Sequence, residues 1–298
     1  MTNILLAGQA VLDFIFEVEE LPTKPEKYRA GAAQIIGGGC AANAAVAVER
    51  LGGQAFIATR VGGDPVGQTI ADGLAAEGVN IDNLFRADDG NSSYSAISVD
   101  RHGDRQIVNL RGTGLGDPLD WTLPERIDAV LADTRWEAGA TQALTLARER
   151  GIPGVLDGES PIPQALAALA SHVVFSMQGI AHFTGDSAVG AALAVAAHRL
   201  PGWVAVTDGG NGTYHWKDGS VVHTPAFRVH VVDTLGAGDV FHGAFTLALA
   251  EGLDEGAAIR FASATAALKC TRRGGRAGTP SRAEVAALLR NGQTAAAE

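Results

Sequence analysis

The sequence predicts an α/β fold in three layers, a mostly parallel sheet between two layers of helices, with a small second β-sheet over one edge. Three observations predict it. Short apolar, β-like runs alternate along the chain with longer amphipathic helical patterns. The 38 glycines fall between these runs rather than in one low-complexity block, so they read as tight turns of an ordered fold. Two regions break the alternation with extended segments of alternating polarity, and these supply the second sheet. The 298 residues fit one large domain, 1–298, without requiring two.

Taken in order, the strand candidates are Ile4–Ala7, Ala55–Ala58, Ala129–Ala132, Gly154–Leu156, Val173–Phe175 and Val204–Thr207. The helix candidates are Ala41–Leu51, Val66–Glu77, Ala140–Arg150, Ala188–Arg199, Val240–Ala250, Glu255–Lys269 and Arg282–Leu289. Strands and helices alternating at these lengths give a parallel sheet covered on both faces. The two interruptions are Glu17–Ile36 and Tyr94–Leu110. With their flanks, 14–36 and 92–111, they form a lid, the second of them a hairpin turning at His102–Asp104. Another hairpin, Gly212–Pro225, turns at Lys217–Gly219, and the tail from Asn291 to Glu298 is expected to fray.

Composition excludes several classes. The net charge is −10, and no basic stripe of the kind a nucleic-acid binder carries is visible. The one dense basic cluster, Lys269, Arg272, Arg273 and Arg276, is short enough for a local phosphate site and too short for a polyanion surface. Met1–Phe16 is apolar but lacks a basic start and contains Asp13, so it reads as neither signal peptide nor membrane span. Cys40 and Cys270 stand alone, outside any metal-ligand spacing, which favours a reduced, cytoplasmic protein.

Ligands of open α/β sheets bind beyond the carboxyl ends of the strands, and the informative motifs fall there. The strongest is Asp233-Thr-Leu-Gly-Ala-Gly-Asp239, between a strand-like run (Arg228–Val232) and an apolar helix. Gly236, Ala237 and Gly238 can present backbone N–H groups at that helix N-terminus, a setting that suits the charge building on a transferred phosphoryl group. Asp239 stands beside them, placed to accept a proton from an attacking hydroxyl. A lone Gly-x-Gly-Asp would describe an ordinary helix start; the full string is far more specific.

That string resembles the second signature of the ribokinase-like (PfkB-type) carbohydrate kinases, in which the final aspartate is the base and Gly-Ala-Gly the anion hole. Gly37-Gly38-Gly39-Cys-Ala-Ala-Asn43 resembles the first signature. The resemblance implies sugar contacts from Gly38, Gly39, Asn43 and Asp13. Val206–Thr213 resembles the nucleotide loop, which implies ATP contacts from Thr207, Gly209 and Gly212, with Ser263 and Ala266 of the following helix beside the adenine. Arg276 is either a nucleotide contact or a solvated charge. One departure stands out: where many members carry Asn-x-x-Glu, which helps arrange Mg²⁺, this chain has Ser176-Met177-Gln178-Gly179. Asp157 is then the candidate metal ligand. The resemblance further implies a homodimer through the lid and room for a monovalent cation.

The combination of Lys27, Asn109 and Arg135 with their surrounding segments resembles the sulfofructose kinase branch. There a lysine, an asparagine and an arginine read a sulfonate, and the 1-hydroxyl of 6-deoxy-6-sulfofructose is phosphorylated. Fructokinase, ketodeoxygluconate-type, phosphosugar and nucleoside kinases are the alternatives within the family, because fold alone does not choose a substrate. A non-catalytic sugar-binding regulator is an alternative outside catalysis. An oxidoreductase is disfavoured, since Gly8-Gln-Ala-Val-Leu-Asp13 lacks Gly-x-Gly-x-x-Gly.

Overall fold

The computed structural model describes residues 1–102 and 104–292. Its large sheet has nine strands in the order β13-β12-β11-β10-β9-β8-β1-β4-β5. The parallel part comprises β1 (Asn3–Ala7), β4 (Gln54–Gly62), β5 (Asn80–Ala87), β8 (Ala129–Ala132), β9 (Gly154–Gly158), β10 (His172–Ser176) and β11 (Trp203–Thr207). An antiparallel hairpin, β12 (Thr213–Lys217) and β13 (Ser220–Thr224), extends one edge. Its two-residue turn has positive φ at Asp218 (49°) and Gly219 (81°), as a tight hairpin of this hand requires.

Strand residues alternate between two apolar layers. Ile4 and Leu6 face a core built with α1 (Cys40–Arg50), α7 (Ala237–Ala250) and α8 (Glu255–Cys270), while Leu5 and Ala7 face α3 (Glu137–Arg150). Further along the sheet, Leu156, Val173 and Phe175 face α4 (Gln164–Ala167), α5 (Met177–Thr184) and α6 (Val189–Arg199). Both sheet faces are therefore dry, which is why the strands read as continuous apolar runs. Each fully buried large side chain, such as Phe245 or Leu144, contributes about 1.5–3 kcal/mol of transfer free energy.

Helix starts follow local chemistry. Asp64 caps α2 (Pro65–Ala76) by accepting from the Gly67 amide at 2.7 Å, with Pro65 at the first helical position. Ser281 and Glu284 form a reciprocal capping box at α9 (Arg282–Asn291).

The second sheet has four strands in the order β3-β2-β6-β7, from β2 (Val11–Glu17), β3 (Ala32–Gly38), β6 (Tyr94–Val99) and β7 (Arg105–Leu110). It is the small second sheet expected, entered at Val11 rather than at residue 14, and is called the lid below. The hairpin turn predicted at His102–Asp104 joins β6 and β7, and Gly103 within it lies outside the described residues.

Three expectations change. β5 and α5 form although the sequence pattern predicts neither. Arg228–Val232 is not a strand: the run is mostly exposed, and the Val232 amide donates to the Cys270 carbonyl at 2.8 Å instead of joining a sheet. Of the tail expected to fray, Asn291 still belongs to α9 and Gly292 caps it at φ 66°; 293–298 lie outside the described residues. No single helix among the described residues is long and apolar enough to cross a membrane.

Candidate active site

β1 is the point where the sheet order turns back, with β4 on one side and β8 on the other. A crevice therefore opens beyond its carboxyl end. The chain leaves β1 directly into lid strand β2, and the N-termini of α1 and α7 converge on the same place.

Asp239 lies in the first turn of α7, half-buried. Gly236, the residue before the helix, adopts φ 74°, and no side chain caps the helix start. The Ala237 amide is spent in the turn, donating to the Thr234 carbonyl at 3.1 Å. Among the described residues, the amides of Gly236, Gly238 and Asp239 have no backbone or side-chain partner. Gly238 is exposed, and a Cβ placed on it would meet nothing within 4 Å. The unpaired donors at this helix start are thus Gly236, Gly238 and Asp239, with Ala237 excluded.

Asn43, buried on α1, donates Nδ2 to Asp239 Oδ2 at 2.7 Å, while its own Oδ1 is buried without a partner. The residue expected to touch sugar hydroxyls thus also orients the Asp239 carboxylate, a contact invisible from motif spacing because 196 positions separate the two. The glycines before α1 make room within the protein. Gly39 (φ 95°) has no space for a Cβ against the Gln9 carbonyl. A Cβ on Gly38 would collide with the Asp13 carboxylate, and one on Gly37 with the Arg276 guanidinium. All three positions require glycine for packing within the chain.

Asp13 sits on β2. Strand register aligns it with Ser95 of β6, and Ser95 with Asn109 of β7. Asn109 Nδ2 donates to Ser95 Oγ at 3.1 Å. The result is a polar rung across the lid. Burial raises the Asp13 carboxyl above its ordinary range, with Ser95 opposing through a hydrogen bond. Next along the same face, Ile15, Ile97 and Ile107 line a crevice of about 680 Å³ between the lid and the loops at Val232–Leu235 and Arg273–Gly274.

Behind Asp239 lies a second buried carboxylate. Burial pushes Asp157, near the end of β9, up to about 7, with the His242 charge opposing and Asp239 adding to the rise. His242 Nδ1 is 2.7 Å from the Gly238 carbonyl and Nε2 3.1 Å from that of Val174. Asp157 Oδ1 stands 3.7 Å from the same Nε2, so the imidazole bridges the α7 start and the end of β9. Cys40 Sγ and one oxygen each of Asp157 and Asp239 lie within 4.8 Å of one another. Two carboxylates, one with a buried unpartnered oxygen, fit a hard cation such as Mg²⁺; the thiol does not.

The Ser176–Gly179 departure has a steric cause. A Cβ on Gly179 would collide with the Gly158 carbonyl, so this backbone has no place for a glutamate there. Ser176 Oγ instead caps α5, accepting from the Gly179 amide at 2.9 Å.

On the nucleotide side, Thr207 ends β11, and a 3-10 turn at Gly209–Asn211 follows. Gly209 and Gly210 are exposed, and a Cβ placed on either would meet nothing within 4 Å, so a ligand can lie against their backbone. Gly212 is different: it is buried at φ 104°, with no room for a Cβ against the Thr224 carbonyl, so packing requires glycine there. Ser263 is largely buried on α8, and Ala266 packs partly against the core. Arg276 is buried rather than solvated, lying over Gly37 with Nη1 unpartnered.

The three expected sulfonate readers are not joined by any contact among the described residues. Lys27 is exposed in the loop before β3. Asn109 belongs to the rung. Arg135 is half-buried, with Nη1 on the Ser160 carbonyl at 2.9 Å. Its charge does bear on Cys40, at the start of α1. Sequence reasoning missed two residues here. Asp133, buried after β8, accepts from the amides of Gln9 (2.7 Å), Arg135 (2.8 Å) and Ala41 (3.2 Å), clamping the crevice floor. A carboxylate directly after a strand is its only signal. His242, three positions after Asp239 on one helix face, is the other.

Comparison with known proteins agrees with this geometry. A profile described as pfkB family carbohydrate kinase matches residues 1–282. The ribokinase of Bacillus subtilis is 31% identical over 297 residues, covering 97% of this chain and 100% of the relative. A crystal structure of a candidate ribokinase from Agrobacterium tumefaciens superposes with a TM-score of 0.92 at 38% identity, covering 97% and 98% of the two chains. Arabidopsis thaliana ribokinase, solved with ribose and ATP, gives 0.83 at 25%, covering 97% and 99%. The nine-stranded core with its separate small sheet is thus the ribokinase-like fold, and the chain belongs to the pfkB family of carbohydrate kinases, phosphotransferases with an alcohol group as acceptor.

Proposed function

We propose that the protein transfers the γ-phosphoryl group of ATP to the primary hydroxyl of a furanose sugar held between the lid rung and Asp239. The observation that carries this reading is the Asn43–Asp239 hydrogen bond beside the unpaired amides of Gly236, Gly238 and Asp239. Asn43 holds Oδ2, leaving Oδ1 to take the proton of the attacking hydroxyl. The open amides and the helix dipole behind them stabilise the charge on the transferred group. Asp13, Ser95 and Asn109 position the sugar, and the loop from Thr207 through Gly209 takes the nucleotide. Mg²⁺ arriving with ATP would be held by Asp157, whose Oδ1 is buried without a partner, and it would neutralise phosphate charge.

The named relatives support a pentose such as ribose as the first substrate reading. The second reading is 6-deoxy-6-sulfofructose, phosphorylated at its 1-hydroxyl. It is supported by Asn109 in the lid rung and by the Arg135 charge beside the start of α1. Pairing of two copies through the lid belongs to the same proposal, supported by exposed Ile35, Ile107 and Val108. So does a cytoplasmic setting, supported by two unpaired cysteines.

The test is ADP release by purified protein with Mg-ATP and, separately, ribose, sulfofructose, fructose, fructose 6-phosphate, ketodeoxygluconate and a nucleoside. Preference for ribose selects the pentose reading. Preference for sulfofructose that disappears in Arg135→Ala selects the sulfonate reading. No turnover with any of them returns the protein to a non-catalytic sugar-binding role.

A further inference from the structure

The turn from Asp233 to Gly236 must hold its amides toward the crevice, and a lysine holds the turn. Lys269, in the last turn of α8, is fully buried. Its Nζ donates to the Asp233 carbonyl at 2.7 Å and stands 3.6 Å from Asp233 Oδ2. The Asp233 carboxylate accepts in turn from the amides of Leu235 (2.9 Å), Gly274 (3.1 Å) and Gly275 (3.2 Å). The amides of Val232 and Asp233 both donate to the Cys270 carbonyl. One buried ion pair therefore ties the end of α8, the loop at Gly274–Gly275 and the start of the anion-hole turn.

A lysine in such a place needs a reason, because a buried ammonium is costly unless it is paired and hydrogen-bonded. Burial does pull Lys269 below its ordinary range, and Asp233 opposes the fall. The other cation at Asp233, Arg105 Nη2 at 3.5 Å, comes from lid strand β7 and is about a third exposed. It can leave with the lid, whereas Lys269 cannot. A carbonyl and a carboxylate converging on one enclosed point are the oxygen donors that a small monovalent cation would choose. Here the chain fills that point with its own charge.

We propose that Lys269 is a positioning residue that supplies the fixed cation behind the anion-hole turn from within the chain, so that turnover needs no small monovalent cation from solution. The proposal rests on the reading of the α7 start as the anion hole. Its consequence is a defined cation response. The uncharged Lys269→Met fills the same space and leaves the turn without its cation. Lys269→Ala leaves both a missing charge and room for a replacement.

The experiment measures turnover and melting temperature of the full chain in KCl, NaCl, choline chloride and ethylammonium chloride at equal ionic strength. Wild type is expected to keep its kcat within about twofold across all four salts, since general screening changes little at fixed ionic strength. Lys269→Ala is expected to lose at least about tenfold in choline chloride and to recover in KCl or ethylammonium chloride, while Lys269→Met loses as much and does not recover. Stimulation of wild type by K⁺ over choline by more than about fivefold overturns the proposal, as does wild-type kcat in Lys269→Met. If the variants do not fold, the wild-type salt series alone decides. Melting temperatures separate the two readings. K⁺ or ethylammonium is expected to raise the Tm of Lys269→Ala and leave that of wild type unchanged, a readout that needs no turnover. An equal response in both proteins sinks the role of Lys269, whereas absence of ADP release by wild type sinks only the kinase reading.

Discussion

Helices α7 and α8 pack against each other and begin in opposite ways. At α8 the Asp254 side chain closes the start, accepting from the Ala257 amide at 2.8 Å, with Glu255 in the first turn. At α7 the position before the helix is Gly236 at φ 74°, no side chain caps it, and the Gly238 and Asp239 amides are left without partners. The same backbone need, donors without acceptors, is met internally at one helix and kept for a ligand at the other. The contrast separates what stabilises from what acts. Its cost appears around α7, where Asn43, Lys269 and His242 hold an uncapped turn in place.

The contrast can be broken at four points. Asp239→Asn keeps the helix and removes the base, so kcat is expected to fall by about 10²–10⁴-fold with ATP affinity retained. Asn43→Ala removes a hydrogen bond to a charged group, which lowers kcat by about 10- to 100-fold and leaves the sugar KM less affected. A larger effect on KM than on kcat would make Asn43 a sugar contact and no orienting residue.

Asp157→Asn is read through pH. The folded protein holds the Asp157 proton up to about 7, whereas the unfolded chain releases it near 3.8. Wild type therefore loses stability relative to the variant as pH rises between those values, and the difference levels off above the folded value. Melting temperatures of the two proteins from about pH 4 to 8 are expected to diverge in that direction; a constant gap contradicts the buried, proton-holding carboxyl. The smallest effect belongs to Asp254→Ala, which is expected to cost about 0.5–2 kcal/mol of stability with kcat unchanged. A fall in kcat there would erase the distinction between the two helix starts.

Legibility in the sequence follows the same line. The Asp233–Asp239 string holds the proposed base and the open amides within seven contiguous residues, so spacing alone brings them together. Buried parallel strands announce themselves as apolar runs, and the expected helices fall within three residues of their observed bounds because their caps and apolar stripes are local. What spacing cannot give is register. The rung of Asp13, Ser95 and Asn109 exists because β2, β6 and β7 pair as they do, and the reach of Asn43 to Asp239 exists because α1 and α7 pack side by side. β5 escapes a sequence reading because its burial alternates weakly, and Arg228–Val232 misleads because a β-branched run needs a free sheet edge to become a strand. Glycines before a helix suggest openings for ligands, whereas three of them make room for Asp13, Arg276 and the Gln9 backbone. The missing glutamate at 179 is visible in the sequence, and its cause, the Gly158 carbonyl, is not.

The most direct test of the account is turnover by Asp239→Asn beside wild type, with the preferred sugar saturating and ATP binding measured in parallel by titration. The account predicts a loss of at least about a hundredfold in kcat with ATP binding unchanged. Turnover within about tenfold of wild type would contradict it, because the open start of α7 would then carry no base.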